Sequence, residues 1–309
     1  MTDALATVLD RLASTPLGAS VERDAPLGAL TTYRVGGSAA ALVRIDGNAH
    51  ADLLAAATGG LDVDIVVIGR GSNMLVSDAG FDGLAVSLGA GFDAIDVHGH
   101  DVVAGAAAKL PVVARATVAA GLTGLEWAVG VPGSVGGAVR MNAGGHGADV
   151  ADCLRSATIL DLRAGRRREV AAGDLALAYR SSALTAGDLV LAARFGLEPG
   201  PVDGGRAEIQ EIIQWRRDNQ PGGQNAGSVF TNPAGDSAGR LIDAAGLKGF
   251  RIGTAAVSDK HANFIQADAG GRASDVLAVM TEVRRRVADA HGVDLVAETH
   301  LVGFGPGAG

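Results

Sequence analysis

The stretch Gly124-Leu-Glu-Trp-Ala-Val-Gly-Val-Pro-Gly-Ser-Val-Gly-Gly-Ala138, with Met141-Asn-Ala-Gly-Gly-His-Gly147 just beyond it, decides the fold. Eight glycines lie within 24 residues. That is more than turns alone need, because each glycine admits conformations and close approaches that a Cβ forbids. Trp127, Val129, Val131 and Val135 supply apolar anchors that order the segment, which weighs against a merely flexible loop. What is left is backbone poised for a ligand, with Gly133, Ser134, Gly137, Asn142 and Gly144 offering N–H or side-chain donors. A large phosphate-bearing ligand suits such a surface.

A second glycine turn lies upstream, in Ile68-Gly-Arg-Gly-Ser-Asn-Met-Leu-Val76. It follows a strand at Asp64–Gly69. A strand running into Gly69, Arg70 and Gly71, with Ser72 and Asn73 behind them, lets backbone N–H groups and two polar side chains meet a pyrophosphate. It is not a Rossmann fingerprint: the third glycine and the following helix are missing, and Met74–Val76 reads as extended. Taken alone, a glycine turn of this sort is more often structural.

Around these loops the chain reads as α+β. Leu5, Val8, Leu9 and Leu12 recur at helical spacing, so the N-terminus forms an amphipathic helix. From residue 30 to about 198, short strands alternate with helices at Ala49–Ala57 and Pro111–Ala120. The spacing predicts strands at Leu84–Leu88, Ala94–Gly99, Asp101–Ala107, Ser156–Leu162 and Asp188–Leu197. Glu198-Pro-Gly-Pro-Val-Asp-Gly-Gly205 lacks apolar periodicity and reads as a linker. Beyond it come helices at Arg206–Asp218, Ser237–Ala245 and Ser274–His291, with strands at Ala262–Gln266 and Leu295–Phe304. The organisation expected is an N-terminal helical segment (1–24), a domain of two subdomains (25–88 and 89–198) and a C-terminal domain (199–309).

Composition narrows the function. Of 309 residues, 48% are hydrophobic and 19% charged, which describes a globular chain rather than a disordered one. The net charge of −8, with no basic patch interleaved with aromatics, argues against nucleic acid as a partner. One cysteine, Cys153, excludes an internal disulfide and a multi-cysteine metal site. The N-terminus lacks the pattern of a secretion signal, and no apolar run reaches 18 residues, so a cytoplasmic protein without a membrane segment is expected. His98 and His100 share one face with Asp96, but on a surface hairpin without further ligands; no metal is expected. Arg163 and Arg166–Arg168 flank a hairpin turn at Ala164–Gly165.

Three polar positions remain. Ser228, in Asn225-Ala-Gly-Ser-Val-Phe-Thr-Asn-Pro233, can present a hydroxyl at a strand start, although most such serines are caps or turn residues. Arg180 follows Tyr179 in Tyr179-Arg-Ser-Ser182. Glu298 stands on an apolar C-terminal strand and needs a partner if it faces inward.

In order, these segments resemble the UDP-N-acetylenolpyruvoylglucosamine reductase family. So do Leu27-Gly-Ala-Leu-Thr-Thr-Tyr-Arg-Val-Gly-Gly37, Ala238-Gly-Arg-Leu-Ile242, Lys260-His-Ala-Asn-Phe-Ile265 and Glu298–Gly303. The resemblance spans nearly the whole chain. It implies an FAD-binding domain of the vanillyl-alcohol oxidase/p-cresol methylhydroxylase type plus a C-terminal α+β substrate domain. It also implies non-covalent FAD reduced by NADPH, with hydride passing to C3 of the enolpyruvyl group of a nucleotide-sugar substrate. By carry-over, Arg180 and Glu298 bind and polarise the substrate carboxylate, Ser228 protonates C2, and Asn232 contacts the nucleotide.

Some details depart from the family pattern. Thr231 and Asn219 stand where many relatives carry lysine, and Arg216, Arg217 and Arg251 are cations able to compensate. Arg217, Gln220, Asn232 and Arg251 are therefore the candidate substrate contacts. The only tyrosines are Tyr33 and Tyr179, so the tyrosine-bearing lid loop that some members place after the Tyr-Arg motif is absent. A monomer is expected. The competing readings are a flavin-dependent oxidase of the same fold class acting on an alcohol or sugar, and a flavin- or nucleotide-binding module without catalysis.

Overall fold

The computed structural model describes residues 2–305; residue 1 and residues 306–309 of the expected terminal segments lie outside the described residues. The chain forms two compact units, each stitched from separate segments. The first comprises Met1–Arg23, Ala41–Arg70 and Gly83–Arg216, the second Asp24–Ala40, Gly71–Asp82 and Arg217–Gly309.

The first unit opens with helix Asp3–Ala13, capped by the Thr2 hydroxyl accepting from the Leu5 N–H, with Leu5, Val8, Leu9 and Leu12 buried. That spacing is one helical stripe, and it packs against helix Asn48–Thr58. A four-stranded sheet follows in the order Val21–Ala25, Ala39–Ile45, Phe81–Leu88, Ile65–Val67. A second, five-stranded sheet runs Arg166–Ala171, Leu154–Asp161, Asp188–Gly196, Asp101–Gly105, Ile95–His98, antiparallel throughout. Its inward residues, among them Val102, Ala104, Ala157, Ile159, Ala193 and Phe195, share a core with Val113, Trp127 and Val139. The basic segment 163–168 forms the hairpin expected of it, and His98 and Asp101 close the other edge hairpin.

The segment read as a linker is structured. Glu198–Pro199 pairs with Leu122–Thr123, and helix Val202–Asn219 begins four residues before the expected Arg206. Ile209 and Ile212 of that helix enter the core of the first unit. Composition misleads here because Gly205 is a packing residue: a Cβ there lies 2.9 Å from both methyl groups of Val118, so only glycine lets the helix come this close. The division between units falls after Arg216, not at residue 198.

In the second unit, Arg251–Ile252, Ala255–Val257 and Ile265–Ala267 form an antiparallel sheet against helix Ala273–His291, which buries Val276, Val279, Met280, Val283 and Val287. Two upstream segments join this core. Tyr33, Val35 and Leu75 are buried in it, and Asp78 caps the long helix by accepting from the N–H groups of Ala273 (2.8 Å) and Ser274 (3.0 Å). Met74–Val76 pairs in parallel with His300–Val302. The C-terminal strand is therefore three residues long rather than the expected ten, and the strand expected at Ala262–Gln266 starts at Ile265 because the preceding residues turn.

Candidate active site

In the first unit, strand Ile65–Val67 delivers Gly69 to the second glycine-rich segment. A Cβ on Gly69 lies 2.6 Å from the Ser134 hydroxyl, so the two loops meet at a distance only glycine allows. Ser134 is the N-cap of helix Val135–Met141, its hydroxyl accepting from the Gly137 N–H at 3.5 Å, and the Gly133 carbonyl accepts from Leu110. Gly69 and Gly137 are exposed, and Gly133 is half-buried. Trp127 is 3% exposed, and its indole N–H is buried without a hydrogen-bond partner.

Asn142 differs from its expected role. It ends the same short helix in the left-handed conformation, φ +40°, and its side chain is committed to the protein. Its amide donates to Asp149 Oδ2 and to the Ala178 carbonyl, each at 3.0 Å, and its oxygen accepts from the Ala151 N–H at 2.9 Å. With both donors and its oxygen engaged, Asn142 is a brace rather than a donor for a ligand.

The brace reaches the turn that carries Arg180. Ala178 and Ser181 exchange both backbone hydrogen bonds, leaving Tyr179 and Arg180 at the tip, with Arg180 at φ +56°. The Arg180 guanidinium lies over the Tyr179 ring, 5.0 Å from its centre, and donates to the Gly144 carbonyl at 2.9 Å. Gly144 therefore contributes a carbonyl that orients Arg180. A non-glycine residue in this region is strained, and such strain collects at functional sites. His146 packs edge-on to Trp215 at 5.1 Å; burial, and then Arg216, hold its imidazole below the ordinary value. Burial pushes the Cys153 thiol up to about 12, with Asp152 and Asp149 adding to it; a thiol so held is a packing residue rather than a nucleophile.

In the second unit, Gly227 at φ +77° turns the chain into Ser228-Val229-Phe230. Val229 and Phe230 are buried while Ser228 stays half-buried. The Val229 carbonyl accepts from both Glu298 N–H (2.7 Å) and Thr299 N–H (3.3 Å), Phe230 bridges Ala297, and Thr231 N–H donates to Val296. Ser228 and Glu298 thus lie on adjacent, hydrogen-bonded segments although 69 residues lie between them in sequence. Asn73 also serves this arrangement, donating from Nδ2 to the Glu298 carbonyl at 3.0 Å while its own carbonyl accepts from His300. Asn73 therefore braces this backbone with one amide hydrogen. Gly71, at φ +59°, accepts from Thr32 through its carbonyl, and a Cβ there lies 2.6 Å from the Leu30 carbonyl and Thr31 Cα. Ser72 is half-buried, and Arg70, at the end of the preceding first-unit segment, is exposed.

Among the expected substrate contacts, Arg217 is exposed, and its backbone carbonyl accepts from Lys260 Nζ. Gln220 is half-buried. Asn232 is exposed, and its Oδ1 accepts from Ala238 N–H at the start of helix Ala238–Ala244. Arg251 is engaged through both terminal nitrogens with Asp268, at 2.7 and 3.3 Å, which makes it the weaker candidate. Asn263 was not singled out by sequence reasoning. It is 3% exposed and donates to the Phe230 carbonyl while accepting from the Phe230 N–H. An asparagine in the apolar run Ala262–Ile265 was the available signal, since a buried amide demands partners.

Residues 219–302 match the family model described as the UDP-N-acetylenolpyruvoylglucosamine reductase C-terminal domain, and residues 46–171 match an FAD binding domain. UDP-N-acetylenolpyruvoylglucosamine reductase of Paramagnetospirillum magneticum is 44% identical, with 91% of each chain covered. The enzyme of that name from Acidiphilium cryptum is 43% identical, again over 91% of each chain. The crystal structure of the Thermus caldophilus reductase superposes with a TM-score of 0.79 at 36% identity, covering 91% of this chain and 98% of that one.

Proposed function

The chain belongs to the UDP-N-acetylenolpyruvoylglucosamine reductase family, which acts in peptidoglycan precursor synthesis, and from that premise we propose how its residues divide the reaction. The first unit carries the FAD-binding domain. Its residues fit such a cofactor: the Gly69–Ser134 approach leaves a cradle that a Cβ would fill. The exposed glycines beside it present backbone, and the unpartnered Trp127 N–H is a further buried donor. Gly69, Arg70, Gly133, Ser134 and Gly137 are the residues of that unit that hold FAD in this reading. When bound, FAD takes electrons from NADPH and supplies the hydride that adds to C3 of the enolpyruvyl group of UDP-N-acetylglucosamine enolpyruvate.

What the protein itself must do is manage charge and a proton. Negative charge builds at C2 and the adjoining carboxylate, and a donor placed there lowers the barrier more than it stabilises the bound substrate. Arg180 provides the cation. In this reading Glu298 also polarises the substrate carboxylate. Ser228 gives its hydroxyl proton to C2, a task open to so weak an acid because a carbanion is strongly basic. The observation that carries this reading is the Val229 carbonyl joining the Ser228 segment to Glu298 at 2.7 Å. Arg217, Gln220 and Asn232 take the nucleotide end in place of a tyrosine lid, because no tyrosine follows Arg180.

An oxidase acting on an alcohol or sugar lacks this support, because residues 219–302 match the reductase C-terminal domain. NADPH as donor, a monomer and a cytoplasmic location complete the proposal; among the described residues no helix is long and apolar enough to cross a membrane. The test is anaerobic mixing of the purified holoprotein with NADPH and then with the enolpyruvyl substrate. Bleaching of the flavin followed by its substrate-dependent return supports the reading. Return of colour only with oxygen or a sugar alcohol overturns it.

A further inference from the structure

We propose that Asn263 is the positioning residue that sets Ser228 in register with Glu298. The inference rests on the reading of Ser228 as proton donor. Residues 229 and 230 carry four backbone hydrogen-bonding groups, and three of them end on Asn263. Val229 N–H donates to the Asn263 carbonyl at 2.9 Å, Phe230 N–H to Oδ1 at 3.0 Å, and Nδ2 donates to the Phe230 carbonyl at 2.8 Å. The fourth group, the Val229 carbonyl, accepts from Glu298 and Thr299. One asparagine therefore takes the place of a neighbouring strand along one edge of the Ser228 segment, while the Glu298 segment occupies the other.

Burial makes this clamp hard to replace. Val229, Phe230 and Asn263 are 0%, 1% and 3% exposed, so water cannot take over a lost partner without a cavity, and an unpaired amide there bears its full desolvation cost. Asn263 is itself fixed, its N–H donating to His261 Nδ1 at 3.2 Å. On the other side Gly227, at φ +77°, has no side chain to pack and nothing within 4 Å of where its Cβ would be, its N–H donating to Asn225 Oδ1 at 3.0 Å. The position of the Ser228 hydroxyl is thus inherited from residues 229 and 230, and through them from Asn263.

The experiment compares Asn263→Asp and Asn263→Gln with the wild-type holoenzyme, each in Ser228 and Ser228→Ala backgrounds. The aspartate removes the Nδ2 donor, and the glutamine keeps the amide but displaces it by one methylene. Flavin content and thermal midpoint are recorded, then flavin reduction by NADPH and its reoxidation by the enolpyruvyl substrate are timed separately. Reduction within about twofold of wild type, with reoxidation slowed on the order of 10- to 100-fold, is expected from misplacement of a reacting group. In the Ser228→Ala background the same substitutions should slow reoxidation by less than about threefold, since the group they misplace is gone. Equal losses in both backgrounds, or in both half-reactions, reduce Asn263 to a fold support and overturn the proposal. If Ser228→Ala alone leaves reoxidation untouched, the assignment of Ser228 is what fails, and the positioning role falls with it. Should Asn263→Asp not fold, the glutamine variant decides by the same comparison.

Discussion

The Asn142 side chain donates to the Ala178 carbonyl at 3.0 Å, so one seven-residue helix ties the Ser134 cap at its start to the Arg180 turn beyond its end. The glycine cradle and Arg180, the proposed substrate cation of the first unit, thus share a single support.

Asn142→Ala should therefore destabilise the protein by about 1–3 kcal/mol, the cost of leaving buried partners unpaired, and should loosen Arg180 as well. Thermal unfolding measures the first effect. The second appears as slower flavin reoxidation by substrate with flavin reduction preserved, and unaltered reoxidation would separate Asn142 from the Arg180 turn.

Gly69→Ala should expel or weaken the flavin, because its new Cβ falls 2.6 Å from the Ser134 hydroxyl. Ser134→Ala should partly rescue it: the remaining contact is to the Ser134 Cβ at 3.6 Å, an ordinary van der Waals distance. Flavin retained per chain after gel filtration reads the outcome. A double variant no better than Gly69→Ala would show that the clash is not the cause.

Ser228→Ala should leave flavin reduction by NADPH nearly intact and slow reoxidation by substrate severely, since the proton enters only in the second half-reaction. Stopped-flow timing of the two halves checks this, and equal damage to both points to a structural serine.

Arg217→Ala should raise KM for the nucleotide sugar with little change in kcat, as loss of uniform binding does. Arg251→Ala should raise it less, because Asp268 already engages both terminal nitrogens of the Arg251 guanidinium. Steady-state kinetics of the pair test the order, and a larger KM change at Arg251 reverses it.

Lowering the pH should weaken the second unit through His261. Burial and then Lys248 hold its imidazole below the ordinary 6.5, and Nδ1 must stay unprotonated to accept from Asn263 N–H. A folded-state value below the unfolded one means that the stabilisation is fully present above 6.5 and drains away as pH falls through the folded value. The thermal midpoint of the wild type should drop over that range more than that of His261→Gln. Parallel pH profiles would remove His261 from the effect.

How much was legible in the sequence follows from range. Periodicity fixed the helices at Asp3–Ala13, Asn48–Thr58 and Ala273–His291, because each buries a stripe set by residues three and four apart. Glycine density located the cradle, because close backbone approach excludes a side chain whatever the partner is. The Ser228, Arg180 and Glu298 positions rested on ordered motifs rather than on spacing.

Tertiary structure alone decided the rest, for want of any local signal. Asp24–Ala40 and Gly71–Asp82 join the C-terminal unit through Tyr33, Val35 and Leu75 in its core and Asp78 on a helix 195 residues away, and composition reads only covalent neighbours. Gly205 looks like linker until Val118 lies against it. Asn142 looks like a ligand donor until its amide is seen to be occupied by Asp149, Ala178 and Ala151. A polar side chain carries the same chemistry wherever it sits in the sequence; what it binds is settled by which groups the fold leaves unpaired within its reach.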